Sequence, residues 1–189
     1  GNWYLNLVIM AFIVIGGLGF FVWLDLLDSR FRFKNLRLYS KIAVFMTAVL
    51  LAGGALGLFL LELTGEAYEG MSLGDRILVS LFQSVTVRTA GFNTVDLAAL
   101  REGSIFLMIC LMVVGGSTGS TAGGMKTTTA AVLVLSIFST FRQQKNVEFF
   151  KRRLEDGITQ TASRIFVMCL ILIILSTLVL SAAEGIPVL

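Results

Sequence analysis

The chain has 189 residues, of which 56% are hydrophobic and 14% are charged, and its formal net charge is +3. This composition and a mean hydropathy of +0.88 are typical of a membrane protein with several spans and not of a soluble domain. The lack of histidine removes the usual general base and the commonest metal ligand, so catalytic triads, zinc sites and enzyme activity in general are disfavoured. Because the basic residues cluster beside apolar segments, the net charge reflects membrane topology and does not indicate nucleic-acid binding.

Three uncharged apolar runs are each long enough to cross a bilayer. They cover residues 4–24, 42–61 and 165–183. A fourth apolar segment, residues 77–87, is too short to cross and leads directly into the sequence RTAGFNT. We therefore predict three spanning helices and one re-entrant helix that ends in a loop.

The charge of the connecting segments predicts which side of the membrane each one faces. Residues 25–41 carry five basic and two acidic residues, and residues 142–164 carry six basic and three acidic residues. This basic excess predicts that both linkers are cytoplasmic. The longer linker, with its mixed charge, also suits docking of a cytosolic partner. Residues 62–76 contain four acidic residues and one basic residue, so this segment and the adjoining pore loop are expected outside.

The longest apolar run, residues 103–141, contains a single charge at Lys126. As one straight helix, at about 1.5 Å per residue, it would be nearly twice the roughly 30 Å thickness of the hydrocarbon core. We therefore predict a helix over residues 104–141 that is broken at a stretch of small residues. Irregular backbone is tolerated at membrane depth only where it is packed in protein or lines a watery cavity, so the break predicts a pathway for a polar solute. The small residues are Gly115, Gly116, Ser117, Thr118, Gly119, Ser120, Thr121, Ala122, Gly123 and Gly124.

Short internal matches indicate that the chain is built from repeats. VIGGLG at residues 14–19 aligns with VVGGST at residues 113–118, and SKIAVF at residues 40–45 aligns with SRIFVM at residues 163–168. Together with the order of the elements, these matches predict tandem units of helix, pore loop and helix. Residues 42–141 would form one complete unit.

The two ends of the chain are expected to belong to neighbouring units. Residues 1–24 would be the second transmembrane helix of a preceding repeat, and residues 165–189 would be the first transmembrane helix of a following repeat. Because one pore loop cannot enclose an ion path, the remaining repeats are expected in the same polypeptide or in further chains. The start at Gly1, without a methionine, is consistent with a fragment of a longer polypeptide.

The loop after the re-entrant segment suits coordination of a cation by backbone carbonyl groups. Oxygens from several such loops would have to converge to replace the hydration shell of the ion. The predicted filter spans residues 88–94, in which Gly91 can turn its carbonyl toward an axis with dihedral angles that are costly for other residues. An extracellular hairpin that turns at Gly91 and Asn93 is the alternative. Arg88 is expected to face away from the axis and to pair with an acidic residue. The coordinating carbonyl groups would belong to Thr89, Ala90, Gly91, Phe92 and Asn93.

The break in the longest run has three competing interpretations. GSTAGGMK at residues 119–126 differs from the phosphate-binding pattern G-x-x-x-x-G-K-[ST] by the inserted Met125 and follows a span rather than a strand, which excludes a nucleotide site. Small residues also allow helices to pack closely. Ten consecutive small residues exceed what a helix contact requires, which favours a gate that obstructs the pathway and retracts. At the end of this gate, Lys126 would repel cations, bind a carboxylate or extend toward the membrane surface.

Two segments carry a family resemblance. TVRTAGFNTVDL at residues 86–97 resembles a filter loop of the Trk/Ktr/HKT superfamily of potassium transporters. GGSTGSTAGGMKTT at residues 115–128 resembles the intramembrane loop in the third repeat of its KtrB and TrkH pore subunits. The resemblance implies an all-α membrane protein of helix, pore loop, helix repeats of the potassium-channel type, with one broken transmembrane helix. It also implies that four repeats surround one pore, that Gly91 is a filter glycine and that residues 115–124 lie beneath the filter as a gate.

The expected function is therefore the translocation of K⁺ across the cell membrane, with K⁺ as the transported ion and no organic cofactor on this chain. The resemblance implies that the complete pore subunit forms a homodimer and that a cytoplasmic nucleotide-binding ring similar to KtrA or TrkA regulates it. The other expected partner is the lipid bilayer, and no nucleic acid is expected. A sodium-conducting member of the superfamily and a non-conducting membrane scaffold are the alternatives, because only one of four filter positions is visible.

Overall fold

The computed structural model describes residues 2–142, 148–149, 152–153 and 157–184. In these residues the chain is helical, apart from one antiparallel pair of two-residue strands, and the predicted all-α fold is confirmed. The seven helices of this part are α1 (Trp3–Leu18), α2 (Phe20–Asp28), α3 (Leu38–Leu61), α4 (Leu73–Thr86), α5 (Glu102–Val113), α6 (Thr127–Phe141) and α7 (Ile158–Glu184). The strands are β1 (Glu148–Phe149) and β2 (Arg152–Arg153).

The chain divides into two compact units, residues 1–128 and residues 129–189. The first unit contains the five helices α1 to α5 and the segment that follows α5. The second unit contains most of α6, the strand pair and α7. Much of the linker predicted at residues 142–164, and residues 185–189 of the predicted last segment, lie outside the described residues.

Two helices, α3 and α7, are long and apolar enough to cross a membrane. The first predicted span, residues 4–24, is divided between two helices, because α1 and α2 meet at an angle of 90° at Gly19. They count as one span only if the bent pair crosses the membrane together. Residues 4–24 are therefore not one continuous helix, and the span predicted there stays a prediction. Gly19 has φ 81° and ψ 154°, a conformation that is open almost only to glycine.

The predicted re-entrant segment is occupied by α4, which begins four residues earlier than expected. The side chain of Ser72 accepts a hydrogen bond from the Asp75 amide at 3.2 Å and caps the first turn. With 14 residues, α4 is about 21 Å long, which is too short to cross the hydrocarbon core. Re-entrance itself stays a prediction.

In the first unit, α4 packs between α1 and α3, while α5 and α2 also pack against α3. Two apolar clusters surround α4. One joins Met10 of α1 to Phe82 and Val85 of α4, and the other joins Leu58 of α3 to Val79 of α4. These contacts hold α4 on both sides, so the position of the loop that leaves its C-terminal end is determined by packing.

The start of α5 is tied to the end of α3 by a buried carboxylate. Glu62 has no exposed surface, and its Oε1 accepts hydrogen bonds from the Arg101 amide at 2.8 Å and the Ser104 hydroxyl at 2.5 Å. Nearby, burial raises the pKa of the Tyr68 phenol; the hydrogen bond to Ser80 opposes this shift and the charge of Glu62 adds to it. The segment between α4 and α5 is therefore anchored at its far end as well.

Candidate functional site

The chain reverses direction directly after α4, in a turn formed by residues 87–93, here called the α4 turn. Thr89 and Gly91 both have left-handed backbone angles, with φ of 70° and 78°. The amides of Ala90 and Gly91 both donate to the carbonyl of Thr86 in the last turn of the helix, at 3.0 and 3.3 Å. The α4 turn is thus folded back onto the C-terminal end of its own helix.

These two hydrogen bonds determine the direction of two carbonyl groups. In a trans peptide the N–H and the preceding C=O point in opposite directions, and the chain has no cis peptide in its described part. The carbonyl groups of Thr89 and Ala90 therefore point away from the end of α4. The carbonyl of Phe92 is engaged differently, because it accepts the Thr86 hydroxyl at 2.6 Å. The negative end of the α4 dipole lies behind the turn and favours a cation nearby.

Gly91 is needed for its backbone conformation and not for lack of space. A Cβ built at this position meets no heavy atom within 4 Å in the described part of the chain. A side chain would nevertheless be strained at φ 78°. The residues from Gly91 to Thr94 are exposed on this chain.

Arg88 connects the α4 turn to the break after α5. Its side chain is buried, and its Nη2 donates to the carbonyl of Gly115 at 2.9 Å. The expectation that Arg88 pairs with an acidic residue is wrong. In the described residues its guanidinium bonds to the Gly115 carbonyl, and its Nε has no partner.

Residues 115–126, here called the glycine loop, leave the helical path between α5 and α6. Met125 pairs with Val114 in a short parallel bridge that closes the base of the loop. The Gly115 amide donates to the Met125 carbonyl at 2.9 Å, and the Met125 amide donates to the Val113 carbonyl at 3.1 Å. A Cβ at Gly115 would collide with the backbone of Gly123, so glycine is required for this closure. The glycine loop is therefore not a helix contact face.

Two further hydrogen bonds stabilise the glycine loop from within. The hydroxyls of Ser117 and Thr127, both fully buried, lie 3.1 Å apart. Lys126 donates from Nζ to the Ala122 carbonyl at 2.8 Å. Of the three expected roles for Lys126, carboxylate binding has no support in the described residues, since the ammonium bonds to the backbone of its own loop.

The glycine loop rests on the bend between α1 and α2, here called the elbow and formed by residues 16–20. The Ser117 amide donates to the Gly17 carbonyl at 2.9 Å, and the Phe20 amide donates to the Gly119 carbonyl at 3.1 Å. The two glycine-containing segments of the internal alignment thus contact each other directly.

A cavity of about 240 Å³ is lined by both the α4 turn and the glycine loop. Thr89 and Ala90 line it from the α4 turn, Thr121 and Ala122 from the glycine loop, and Gly16 from the elbow. The structure therefore brings the two segments singled out in the sequence to one space that is large enough for several water molecules.

The sequence matches the family model described as "TrkH: Cation transport protein" over residues 1–186. The chain belongs to the TrkH family. The resemblance inferred from its two motifs is confirmed at this level.

Relatives of this TrkH-family chain carry names of uptake proteins. The chain is 38% identical to the potassium/sodium uptake protein NtpJ of Enterococcus hirae over 98% of its own length and 41% of that protein. It is 35% identical to the Ktr system potassium uptake protein B of Bacillus subtilis over 99% of its length and 42% of that protein. The chain thus spans about two fifths of the length of these relatives.

A solved structure has the same fold as this TrkH-family chain. The potassium transporter TrkH from Vibrio parahaemolyticus matches with a TM-score of 0.78 at 23% identity, over 96% of this chain and 40% of that chain. At this identity the match supports the membrane fold alone.

Sequence reasoning missed the elbow as a partner of the glycine loop in this TrkH-family chain. The signal was present, because the internal alignment superposes Gly16 and Gly17 on Gly115 and Gly116. If Gly115 and Gly116 indicate a break in a helix, then Gly16 and Gly17 indicate one as well. Missed as well was Tyr39, whose hydroxyl donates to the Thr118 carbonyl at 3.0 Å. A tyrosine at the start of an apolar helix has no feature in the sequence that indicates this contact.

Proposed function

We propose that this chain supplies one complete pore unit, with parts of two neighbours, of a K⁺ uptake protein of the cell membrane. The complete unit is residues 42–141, and residues 1–24 and 165–189 belong to the neighbouring units. Linkers 25–41 and 142–164 face the cytoplasm, and the filter side faces outward. Family membership, the names of the relatives and two to three apolar spans support this proposal.

The observation that carries the proposal is the geometry of the α4 turn. Carbonyl oxygens are suitable ligands for a dehydrated alkali ion when they are held in fixed directions and not bonded to other groups. The hydrogen bonds of Ala90 and Gly91 to the helix end direct the carbonyls of Thr89 and Ala90 outward. The proposed filter comprises residues 88–94, with Gly91 at a left-handed position and the Asn93 carbonyl at its outer end. The Phe92 carbonyl is the less suitable ligand of this set, because it already accepts the Thr86 hydroxyl.

The gate in this proposal is formed by residues 115–124 of the glycine loop together with Lys126. It lines the same cavity as the α4 turn, and its peptide groups and hydroxyls would obstruct an ion path there. Glycines at positive φ, at positions 119 and 124, make alternative backbone conformations accessible at small strain. Deletion of residues 119–123 from the complete protein should then raise K⁺ flux.

The assembly around this unit follows the family resemblance. We propose that further pore repeats complete the filter, that the complete subunit forms a homodimer, and that a cytoplasmic nucleotide-binding ring regulates the gate. The transported ion is K⁺, and the chain needs no organic cofactor to coordinate it, because backbone carbonyl groups are the ligands.

A second candidate is translocation of Na⁺ as well as K⁺. The specific observation in its favour is that the relative with 38% identity is named as a potassium/sodium uptake protein. A filter built from four loops sets its selectivity by all four, so the α4 turn is compatible with either ion.

The test is Gly91→Ser in the complete protein, reconstituted in liposomes, with K⁺ and Na⁺ uptake measured separately. The left-handed angle at this position opposes a side chain, so the turn should distort and the preference for K⁺ over Na⁺ should fall. The matched control is Gly70→Ser, because Gly70 has φ 70°, is exposed and also has no heavy atom within 4 Å of a built Cβ in the described residues.

The outcomes separate the candidates. Loss of K⁺ preference in Gly91→Ser but not in Gly70→Ser supports the filter. Comparable K⁺ and Na⁺ uptake by the unmodified protein supports the second candidate. Ion uptake that is unaffected by Gly91→Ser in folded protein rejects the filter and leaves a membrane scaffold as the better interpretation.

A further inference from the structure

The elbow presents its backbone to the glycine loop at unusually short range. A Cβ built at Gly19 would lie 2.8 Å from the Thr118 carbonyl oxygen and 3.0 Å from the Ser120 nitrogen. On the other side, a Cβ at Gly116 would lie 2.7 Å from the Gly17 carbonyl oxygen. Because real Cβ atoms do not approach backbone this closely, the contact requires glycine in both segments.

The glycine loop also completes the first turn of α2. The helix begins at Phe20, and its preceding residue Gly19 has no side chain to cap it. The first amide of a helix has no partner inside the helix. Gly119 supplies this partner through its carbonyl, at 3.1 Å. When the glycine loop leaves the elbow, that amide loses its acceptor.

A side chain from α3 fastens the tip of the glycine loop. Tyr39 lies in the first turn of α3, and its hydroxyl donates to the Thr118 carbonyl at 3.0 Å. This is a contact between residues 79 positions apart, and it holds the loop from a helix that is separate from the elbow. The loop is therefore fixed by backbone bonds on one side and by a phenol on another.

We propose that the elbow, with Tyr39, is the seat that holds the glycine loop across the ion path, and that Gly19 and Tyr39 are positioning residues for the gate. The proposal rests on the proposed gating role of the glycine loop. It adds that the resting position of the gate is set by a bend in the neighbouring pore unit. Opening then means that the loop leaves the elbow and breaks these hydrogen bonds together.

The seat is tested by measuring how often the loop leaves it. Ser120 is a suitable reporter position, because its Oγ is buried and has no hydrogen-bond partner in the described residues, so Ser120→Cys removes no bond. In the complete protein with its other cysteines, including Cys110 and Cys169, replaced by alanine, the introduced thiol should react slowly with N-ethylmaleimide. Its labelling rate reports the population of the undocked loop when undocking is fast relative to labelling.

The main variant is Tyr39→Phe, which removes one hydroxyl and leaves the backbone unchanged. Loss of one neutral hydrogen bond should raise the undocked population, and therefore the labelling rate, roughly 2- to 12-fold. Gly119→Ala is the second variant, because its Cβ would lie 2.7 Å from the Phe21 ring and would press the loop away from the elbow. Tyr4→Phe is the control, at an exposed tyrosine of α1.

K⁺ flux is measured on the same samples, so that the seat and the gate are judged separately. Faster labelling with higher flux supports both. Faster labelling with unchanged flux supports the seat and rejects the gating role of the loop. Labelling that stays at the unmodified rate in both Tyr39→Phe and Gly119→Ala overturns the seat, whatever the flux does.

Discussion

The contact between Arg88 and Gly115 makes the sharpest prediction about how the proposed filter and the proposed gate are connected. Arg88 is the last residue before the left-handed part of the α4 turn, and Gly115 is the first residue of the glycine loop. We predict that Arg88→Met, which preserves the length of the side chain but removes its charge and donors, raises K⁺ flux through the complete protein and lowers its stability.

The magnitude follows from the geometry of this contact. A hydrogen bond from a charged donor contributes about 1.5–3 kcal/mol, and its loss leaves the buried carbonyl of Gly115 without that donor. Arg88 is only 7% exposed, and its Nε is unpaired in the described residues. The buried charge therefore carries a desolvation cost, and the removal of that cost in Arg88→Met offsets part of the free energy lost with the hydrogen bond. We expect a net loss of about 1–2 kcal/mol in the free energy of unfolding. If the bond exists only while the loop is docked, the undocked population should rise roughly 5- to 30-fold.

The assay compares K⁺ flux into proteoliposomes with thermal unfolding of the same preparations. Arg76→Met is the matched control, because Arg76, in the first turn of α4, also donates to backbone carbonyl groups, those of Leu63 and Met71 at 3.2 Å, and neither acceptor belongs to the glycine loop. It should lower stability without a change in flux. Equal flux in Arg88→Met and in Arg76→Met would refute the connection between filter and gate.

Three further predictions concern anchors at other points of the unit. Glu62→Ala should lower the free energy of unfolding by about 3–5 kcal/mol, because two donors, among them the Ser104 hydroxyl, lose a buried acceptor and a cavity remains. Thermal unfolding measures this loss, and a value under about 1 kcal/mol would contradict the prediction. Phe21→Ala should reduce the effect of Gly119→Ala on loop labelling, because the ring that the new Cβ meets is gone, and additive effects in the double variant would argue against that contact. Lys126→Met should raise cation flux several-fold if its charge repels ions, while unchanged flux would mean that its bond to the loop backbone is structural.

The two glycine breaks belong together in the folded chain. Each interrupts an apolar segment near the aligned glycines, since α1 ends at Leu18 and α5 ends at Val113, and each supplies the close approach that the other needs. In repeat proteins, equivalent segments of neighbouring units are placed side by side by the architecture. In the proposed repeat arrangement, the elbow and the glycine loop are equivalent segments of two units, bent sharply in one and extended into a loop in the other.

Composition and apolar run length were sufficient to predict the class of the protein and the existence of most helices. Charge-free runs long enough to cross a bilayer identified α3 and α7, and the glycine and hydroxyl residues after Val113 indicated that the longest run could not be one helix. These properties are local, because a bilayer requires apolar side chains and internal backbone hydrogen bonds of every span separately. The helix ends were less accurate, since caps such as Ser72 add turns beyond the apolar run.

Tertiary structure alone decided which groups meet. The sequence places Arg88 at the first position of the predicted filter but 27 positions from its acceptor, and it places Tyr39 79 positions from the carbonyl that it contacts. The 90° bend at Gly19 was not predicted, because an apolar run with a glycine is compatible with a straight helix unless another segment bonds the backbone groups that the bend releases. Here the glycine loop bonds the Gly17 carbonyl and the Phe20 amide, so the bend is a property of two segments that the chain brings together only when it folds.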